Sequence, residues 1–278
     1  MAVLATPVYF FIEGAQDISR GLVAARRVVR ILRLEPAVRT AADSEPTPPR
    51  PADLHDPDSG LTVHPGELLA IATAVPADAS ALVDRLGRYT DSAVTWGGTP
   101  LARMPLDDVR RRILVAENDA FLFAGRLRDT VATRRDHDDT ELARAIHAAL
   151  AEDVVAGLPD GLESAVQTQG RDVSGGQRQR LRLVRALLAD PEILLLVEPT
   201  SAVDAHTESM IADRLRDARR GRTTVVVGTS PLLLDRADRV AYLVAGVVAA
   251  TGTHADLLVT EPGYRALAYR GADEELVS

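Results

Sequence analysis

The string VSGGQRQR, Val173 to Arg180, is the part of this sequence that most directly offers chemistry. A serine and two glycines stand just before a stretch where Leu181, Val184 and Leu188 repeat at helical spacing, with Arg178, Arg182 and Arg185 facing outward. Such an arrangement turns free N–H groups and the positive end of a helix dipole toward whatever lies before Ser174, Gly175 and Gly176, and a phosphate suits that place. The same residues also make an ordinary serine N-cap with a glycine turn, and the string alone leaves both readings open. Composition excludes several other chemistries. There is no cysteine, so disulfides, thiolate metal sites and cysteine nucleophiles are ruled out. All 32 basic residues are arginine, which removes Schiff-base chemistry and the phosphate-binding lysine of nucleotide loops. His55, His64, His137, His147, His206 and His254 show no paired ligand spacing, so no metal site is assigned.

The elements that must position this string alternate between strands and helices. Glu67 to Thr73 (ELLAIAT) reads as a buried strand after a Pro65–Gly66 turn, and Ser80 to Leu86 begins a helix. Ala93 to Trp96 and Ile113 to Ala116 read as short strands, and Thr140 to Ala151 as a helix. Ile193 to Val197 and Thr224 to Val227 are unbroken apolar runs, as in strands covered on both faces. A helix at about Ala205 to Arg219 lies between them. Val240 to Val244 and Val247 to Ala250 flank Gly246 as a hairpin. The alternation implies an α/β fold with a largely parallel sheet.

The N-terminal part differs in kind. Met1 to Ile12 is apolar but shorter than the roughly 18 residues a membrane span needs, and it lacks the marks of a signal peptide. Ile18, Leu22, Ala25, Val29 and Leu32 then share a helical face, with Arg20, Arg26, Arg27, Arg30 and Arg33 around it. This pattern fits a surface helix packed on its own protein, or the cytoplasmic end of a membrane helix with its arginines at an anionic lipid surface. From Pro36 to Gly60 the chain is rich in proline and acidic residues and reads as an extended linker, so the globular part is expected to begin near Leu61. A net charge of −8 and a pI near 5.3 argue against nucleic acid as a partner.

VSGGQRQR is followed by ILLLVEPTSAVD (Ile193 to Asp204), then Thr223 to Val227, then GTHADLL (Gly252 to Leu258). In that order the segments resemble the nucleotide-binding domain of an ABC transporter of the exporter type, over about Leu61 to Leu258. The resemblance implies a P-loop NTPase-like α/β domain with a mainly parallel core sheet, a helical subdomain near Thr130 to Gly170 and a small antiparallel β portion. It implies residues 1–35 as a helical stalk ending a membrane helix, 36–60 as a linker, 61–260 as the nucleotide-binding-like domain and 261–278 as a tail. The rest of a membrane domain is not in this sequence.

Carried over residue by residue, the family's phosphate loop falls on Thr73 to Ala81, where this chain departs from the pattern. Its glycine positions hold Thr73, Pro76 and Asp78, and its lysine position holds Ala79; Ser80 alone matches, as a magnesium ligand. The Asp-Glu pair is Val197–Glu198, the glutamine expected after the strand at Val115 is Glu117, and the histidine is Thr229. Where an aromatic residue stacks on adenine, this chain offers Leu54 and His55. The strand–loop–helix at Glu67 to Leu86 is therefore expected to persist without a ring of inward N–H groups. Glu198 stands at the family's catalytic position, here read as unused.

By the same resemblance, ABC domains pair head to tail, with each ATP between one chain's phosphate loop and the other's signature loop. This chain has lost the first and kept the second. The expectation is a non-catalytic subunit of an asymmetric exporter at the cytoplasmic face of the cell membrane, working with a transmembrane domain and a second, intact nucleotide-binding domain. Ser174, Gly175, Gly176 and Gln177 would close over ATP and Mg2+ held by that partner, and Asp204 would lie at the interface, or serve only as a helix N-cap. Gly176→Asp is expected to leave the domain folded. A pseudo-ATPase scaffold or transporter remnant is the alternative; a DNA-repair ATPase is poorly supported by the acidic charge.

Overall fold

The computed structural model describes residues 5–39, 44–132 and 137–275. It divides into two compact units, Met1–Ala37 and Val38–Ser278. In the first, Ala5–Leu32 forms one helix, α1. The second opens with strands β1 (Leu54–Asp56), β2 (Leu61–Val63) and β3 (Leu68–Thr73), then helix α2 (Pro76–Leu86). Strands β4 (Thr95–Trp96) and β5 (Thr99–Pro100), helix α3 (Leu106–Arg112) and strand β6 (Ile113–Ala116) follow. A helical portion comes next, with β7 (Gly125–Arg126), α4 (Leu127–Val131), α5 (Asp139–Ala148), α6 (Glu152–Ala156) and β8 (Ala165–Val166). Helix α7 (Gly175–Leu188), β9 (Ile193–Val197), α8 (Ala205–Ala218), β10 (Thr223–Val227) and α9 (Pro231–Arg236) return the chain to the sheet. The chain finishes with β11 (Arg239–Val244), β12 (Val247–Gly252), α10 (His254–Thr260) and α11 (Pro262–Glu275).

The main sheet has the order β12-β11-β3-β10-β9-β6, parallel throughout except for β12 against β11. Its central strands are buried on both faces, and successive residues feed two separate cores. Leu68, Ala70 and Ala72 of β3 point into one with Leu181, Val184 and Ile211 of the helices. Leu69 and Ile71 point into the other, with Leu82 and Leu86 of α2 and Leu54 and Trp96 of the small sheet. That small sheet, of order β2-β1-β4-β5, is antiparallel.

Two boundaries differ from the sequence expectation. Residues 44–60 are folded onto the domain rather than forming an extended linker, and the domain begins at Val38 rather than near Leu61. The ties come from distant arginines. Arg112 donates to Thr47 Oγ1 (2.8 Å) and the Pro48 carbonyl (2.6 Å) while its guanidinium stacks 4.4 Å over Trp96. Buried Arg88 donates to the carbonyls of Arg39, Ala102 and Met104. At the other end, residues 262–275 form α11 instead of a tail, because Tyr264, Leu267 and Ala268 are buried. Residues 276–278 lie outside the described residues.

Candidate functional site

After β3 the chain turns through Ala74 and Val75 and enters α2 at Pro76, four residues before the helix expected at Ser80. Proline suits a first helical position, since it has no N–H to leave unpaired and its φ is already helical. Three of the donors that could ring a phosphate are consumed or missing. Val75 N–H donates to Thr73 Oγ1 (3.2 Å), Asp78 N–H donates to the Val75 carbonyl (3.0 Å), and Pro76 has none. None of Thr73, Pro76 and Asp78 has the left-handed backbone that favours glycine. The Asp78 carboxyl group lies beside Gly246 of the β11–β12 turn, with one oxygen shielded from solvent and without a hydrogen-bond partner. Ala79 is buried in the core beneath α2, so a lysine there would have to enter that core; Ser80 is exposed.

The start of α7 is built differently. Ser174 caps it reciprocally: its Oγ accepts from Gln177 N–H (3.2 Å), and the Gln177 side chain accepts from Ser174 N–H (2.8 Å). The N–H groups of Gly175 and Gly176 occupy the first helical positions, where no carbonyl precedes them within the helix. Ser174 and Gly175 are exposed. Gly176 is not at an open helix start. A Cβ on it would stand 2.7 Å from the Ala202 carbonyl oxygen, so the expectation that Gly176→Asp leaves the domain folded is corrected. Gly176→Ala is expected to destabilise the domain by about 1–3 kcal/mol through this backbone clash. Denaturant unfolding checks it, with Gly175→Ala, whose Cβ meets only ordinary contacts, as the comparison.

Gln179 joins this helix to the end of β9, a role the sequence reading missed. Its buried amide donates to the Glu198 carbonyl (2.7 Å) and to Ser201 Oγ (3.2 Å), and accepts from Ala202 N–H (2.8 Å). Asn118 Nδ2 donates to the same Ser201 hydroxyl at 2.8 Å. The available signal was a glutamine on the inward face of the helix, where the other inward residues are apolar. Glu198 has a left-handed backbone (φ 47°) and donates its N–H to the Val227 carbonyl. Its side chain still reaches solvent, yet burial against Gly228 pushes its carboxyl above the usual range. Beside it, Val197 packs on the core. Asp204 caps α8, accepting from Thr207 N–H (2.9 Å) and Thr207 Oγ1 (2.7 Å), and these bonds hold its carboxyl below the ordinary value. Leu54 is fully buried and a ring nitrogen of His55 lies 2.9 Å from Thr62 Oγ1.

Residues 117–123, after β6, complete the site. The sequence places Arg182 and Arg185 simply outward, but both reach back to this loop. Arg182 Nε donates to the Ala120 carbonyl (2.7 Å) and Arg185 Nη1 to the Phe121 carbonyl (2.8 Å). Burial lowers the pKa of both guanidinium groups. Gln169 N–H donates to the Leu122 carbonyl (2.8 Å) and Thr130 Oγ1 to the Phe123 carbonyl (3.2 Å). Four consecutive carbonyls are thus held by α7, its preceding segment and α4. The loop turns Phe121 and Phe123 outward, 43% and 69% exposed, with ring centroids 4.8 Å apart. A groove of about 770 Å³ runs beside it, lined among others by Arg110, Arg111, Glu117, Phe123, Arg182 and Arg185.

Residues 58–201 match the sequence model of a family described as ABC transporter. A probable multidrug resistance ABC transporter ATP-binding/permease protein of Bacillus subtilis is 30% identical over 290 residues, covering 95% of this chain and 48% of that protein. An ATP-dependent lipid A-core flippase of Cupriavidus metallidurans is 37% identical over 71% of this chain and 34% of its own length. A multidrug efflux ATP-binding/permease protein of Mycobacterium bovis is 39% identical over 74% of this chain and 18% of its own. Among solved structures, a bacterial Atm1-family ABC exporter with ATP bound superposes with a TM-score of 0.80 at 25% identity, over 92% of this chain and 48% of that one. This chain spans about half the length, or less, of these relatives. Among the described residues no helix is long and apolar enough to cross a membrane.

Proposed function

The chain belongs to the ABC transporter family, and from that premise we propose that it is the non-catalytic nucleotide-binding subunit of an asymmetric exporter. The family uses ATP and Mg2+ in general; in this reading a competent partner chain holds them, and this chain supplies Ser174, Gly175, Gly176 and Gln177 from across the interface. The observation that carries the reading is the contrast between two helix starts. At α2 a triphosphate fits poorly: the Val75 and Asp78 N–H groups are spent within the chain, Pro76 has none, Asp78 adds a negative charge, and neither Ala79 nor Val197 supplies a counter-charge or metal ligand. At α7 the cap is intact, the glycine N–H groups are unspent, and the dipole end is open to an anion. ATP bound there would bring the two domains together; this chain's residues orient it and exclude water, and Glu198 takes no part. Asp204, fixed as a charged N-cap, lies on the same connection and meets the partner domain.

The closing motion passes to a transmembrane domain at the cytoplasmic face of the membrane through residues 117–123. Phe121 and Phe123, with the arginine-lined groove beside them, receive a segment of that domain. In isolation the chain is expected to show no micromolar affinity for ATP with magnesium and no measurable turnover. Titration calorimetry on the purified chain checks this, and magnesium-dependent micromolar binding would overturn the reading.

A further inference from the structure

The turn from α8 into β10 is strongly cationic: residues 216–222 hold four arginines and one aspartate, in a chain of net charge −8. Arg216, Arg219, Arg220 and Arg222 line a cavity of about 320 Å³ at the starts of β3 and β10, where Asp238 is the one carboxylate of the lining. The helix dipole accounts for a cation in the last turn of α8, where Arg216 stands, but it fades within that turn and does not reach Arg220 and Arg222. The carboxylates at hand are already spent. Asp238 Oδ1 accepts from Arg216 (2.8 Å) and its Oδ2 from Leu68 N–H (2.9 Å). Asp190 divides its two oxygens between Arg219 (2.9 Å) and Arg222 (2.7 Å), and Asp217 accepts from Arg220 (2.5 Å). The Nε of Arg216 and the Nε and Nη1 of Arg220 and Arg222 make no hydrogen bond among the described residues. The Arg219 side chain is 3% exposed, and burial pulls its pKa down to about 10, with Asp190 opposing the shift and the like charge of Arg222 adding to it.

We propose that this cavity binds a phosphate group, held by Arg216, Arg220 and Arg222 with Arg219 behind them. Four guanidinium groups share three carboxylates here, and a doubly charged oxyanion supplies the negative charge that those carboxylates leave unmet. The fork of N–H groups on each arginine matches two phosphate oxygens at once, a fit that chloride and a lone carboxylate cannot repeat from several sides. The volume equals that of about ten waters at liquid density, room for a phosphate with part of its hydration shell. The mouth is open at Gly221, where a Cβ would meet nothing within 4 Å. Ligands of parallel α/β sheets gather at the carboxyl ends of the strands. This cavity lies at the opposite ends of β3 and β10, and the six residues of β3 separate it from the turn into α2 by about 20 Å. It is a place apart from the two helix starts and serves whichever way ATP is shared between subunits.

The test is titration calorimetry of the full chain with sodium phosphate and, separately, with glycerol 3-phosphate, at fixed ionic strength in chloride. The expected result is one saturable site of submillimolar Kd. Arg220→Gln with Arg222→Gln, both at the surface, is expected to weaken it by about tenfold or more. Arg144→Gln removes an exposed arginine of α5 that makes no ion pair, and binding is expected to stay within about twofold. Trp96, the sole tryptophan, is buried in the same unit, and its fluorescence melting curve shows that each variant is folded. Binding of phosphate alone assigns the cavity to the free ion, and equal binding of both compounds assigns it to the phosphate of a small molecule; either result supports the proposal. Gly175→Asp closes the start of α7 to anions, so binding lost in that variant and kept in the arginine pair belongs to α7 and overturns the proposal. No saturable binding up to about 10 mM phosphate, or binding unchanged in the arginine pair, would overturn it as well.

Discussion

Gly175→Asp in this chain is expected to abolish ATP turnover by the assembled pair while leaving the fold at least as stable. The position admits a side chain, since a Cβ there meets its nearest atoms at 3.9 and 4.0 Å. An aspartate in the first turn of α7 also faces the positive end of the helix dipole, which favours it by a few tenths of a kcal/mol or more. The same carboxylate stands where the partner's triphosphate would approach. Two unit charges about 4 Å apart at intermediate dielectric repel by about 4 kcal/mol, or about a thousandfold in occupancy of the closed state. Folding and function therefore move in opposite directions, so a loss of activity cannot be assigned to unfolding. Ser80→Ala and Glu198→Gln, at this chain's own phosphate-loop and carboxylate positions, are expected to leave turnover within about twofold. Steady-state ATP hydrolysis by the co-purified pair is the measurement. Full activity in Gly175→Asp would reject the shared site and favour a scaffolding role, whereas a large loss in Glu198→Gln would place hydrolysis in this chain's own cleft.

The largest stability effect is expected at Arg85. Its guanidinium reaches from α2 to the fully buried Asp56 of β1, with Nη2 2.7 Å from Oδ2 and Nε 3.2 Å from both oxygens. Ser59 adds its hydroxyl (2.6 Å) and N–H (3.2 Å) to the same carboxylate. Burial alone would raise the Asp56 carboxyl, but the hydrogen bonds and charge of Arg85, with those of Ser59, outweigh it and hold the carboxyl below its ordinary value. Arg85→Met leaves a buried carboxylate without its counter-ion, a change that costs about 3–5 kcal/mol. The sign with pH follows from the lowered value. In the native chain this contribution is complete above the unfolded carboxylate value of about 4 and is lost as pH falls through the folded one. In Arg85→Met the deficit shrinks toward acid, where Asp56 can take a proton. Urea unfolding of both proteins at neutral and acid pH measures this; an equal deficit at both would show that packing, not charge, sets the cost.

Most of the parallel sheet is legible in the sequence because its strands are short and apolar on both faces. β9 and β10 fall where ILLLV and TVVV place them, and the hairpin at Gly246 forms as expected. Residues 44–60 were not legible as part of the domain, because what folds them back is a side chain more than 60 positions away meeting a backbone carbonyl. No local pattern of hydrophobicity records such a bond. The early start of α2 was readable in principle, since Pro76 at its first position is a start signal, but the apolar spacing begins later and drew the boundary to Ser80. Ser174 and the two glycines announce themselves by type. Gln179, Arg182 and Arg185 act through carbonyls on other segments and needed coordinates.

Of the four carbonyls from Ala120 to Phe123, α7 itself holds the first two, Gln169 the third and Thr130 of α4 the fourth, whereas Asn118 meets the Ser201 hydroxyl after β9. A hinge fixed at every link has no backlash. Rotation of α7 together with α4 would carry Phe121 and Phe123 with it, so the amplitude at the aromatic pair would be set by the lever arm rather than by slack in the loop. Events in the cleft at α2 lie outside that linkage. Of the two helix starts, the aromatic pair is tied to that of α7, which in the proposed pairing would make the chain a receiver of strokes generated by its neighbour.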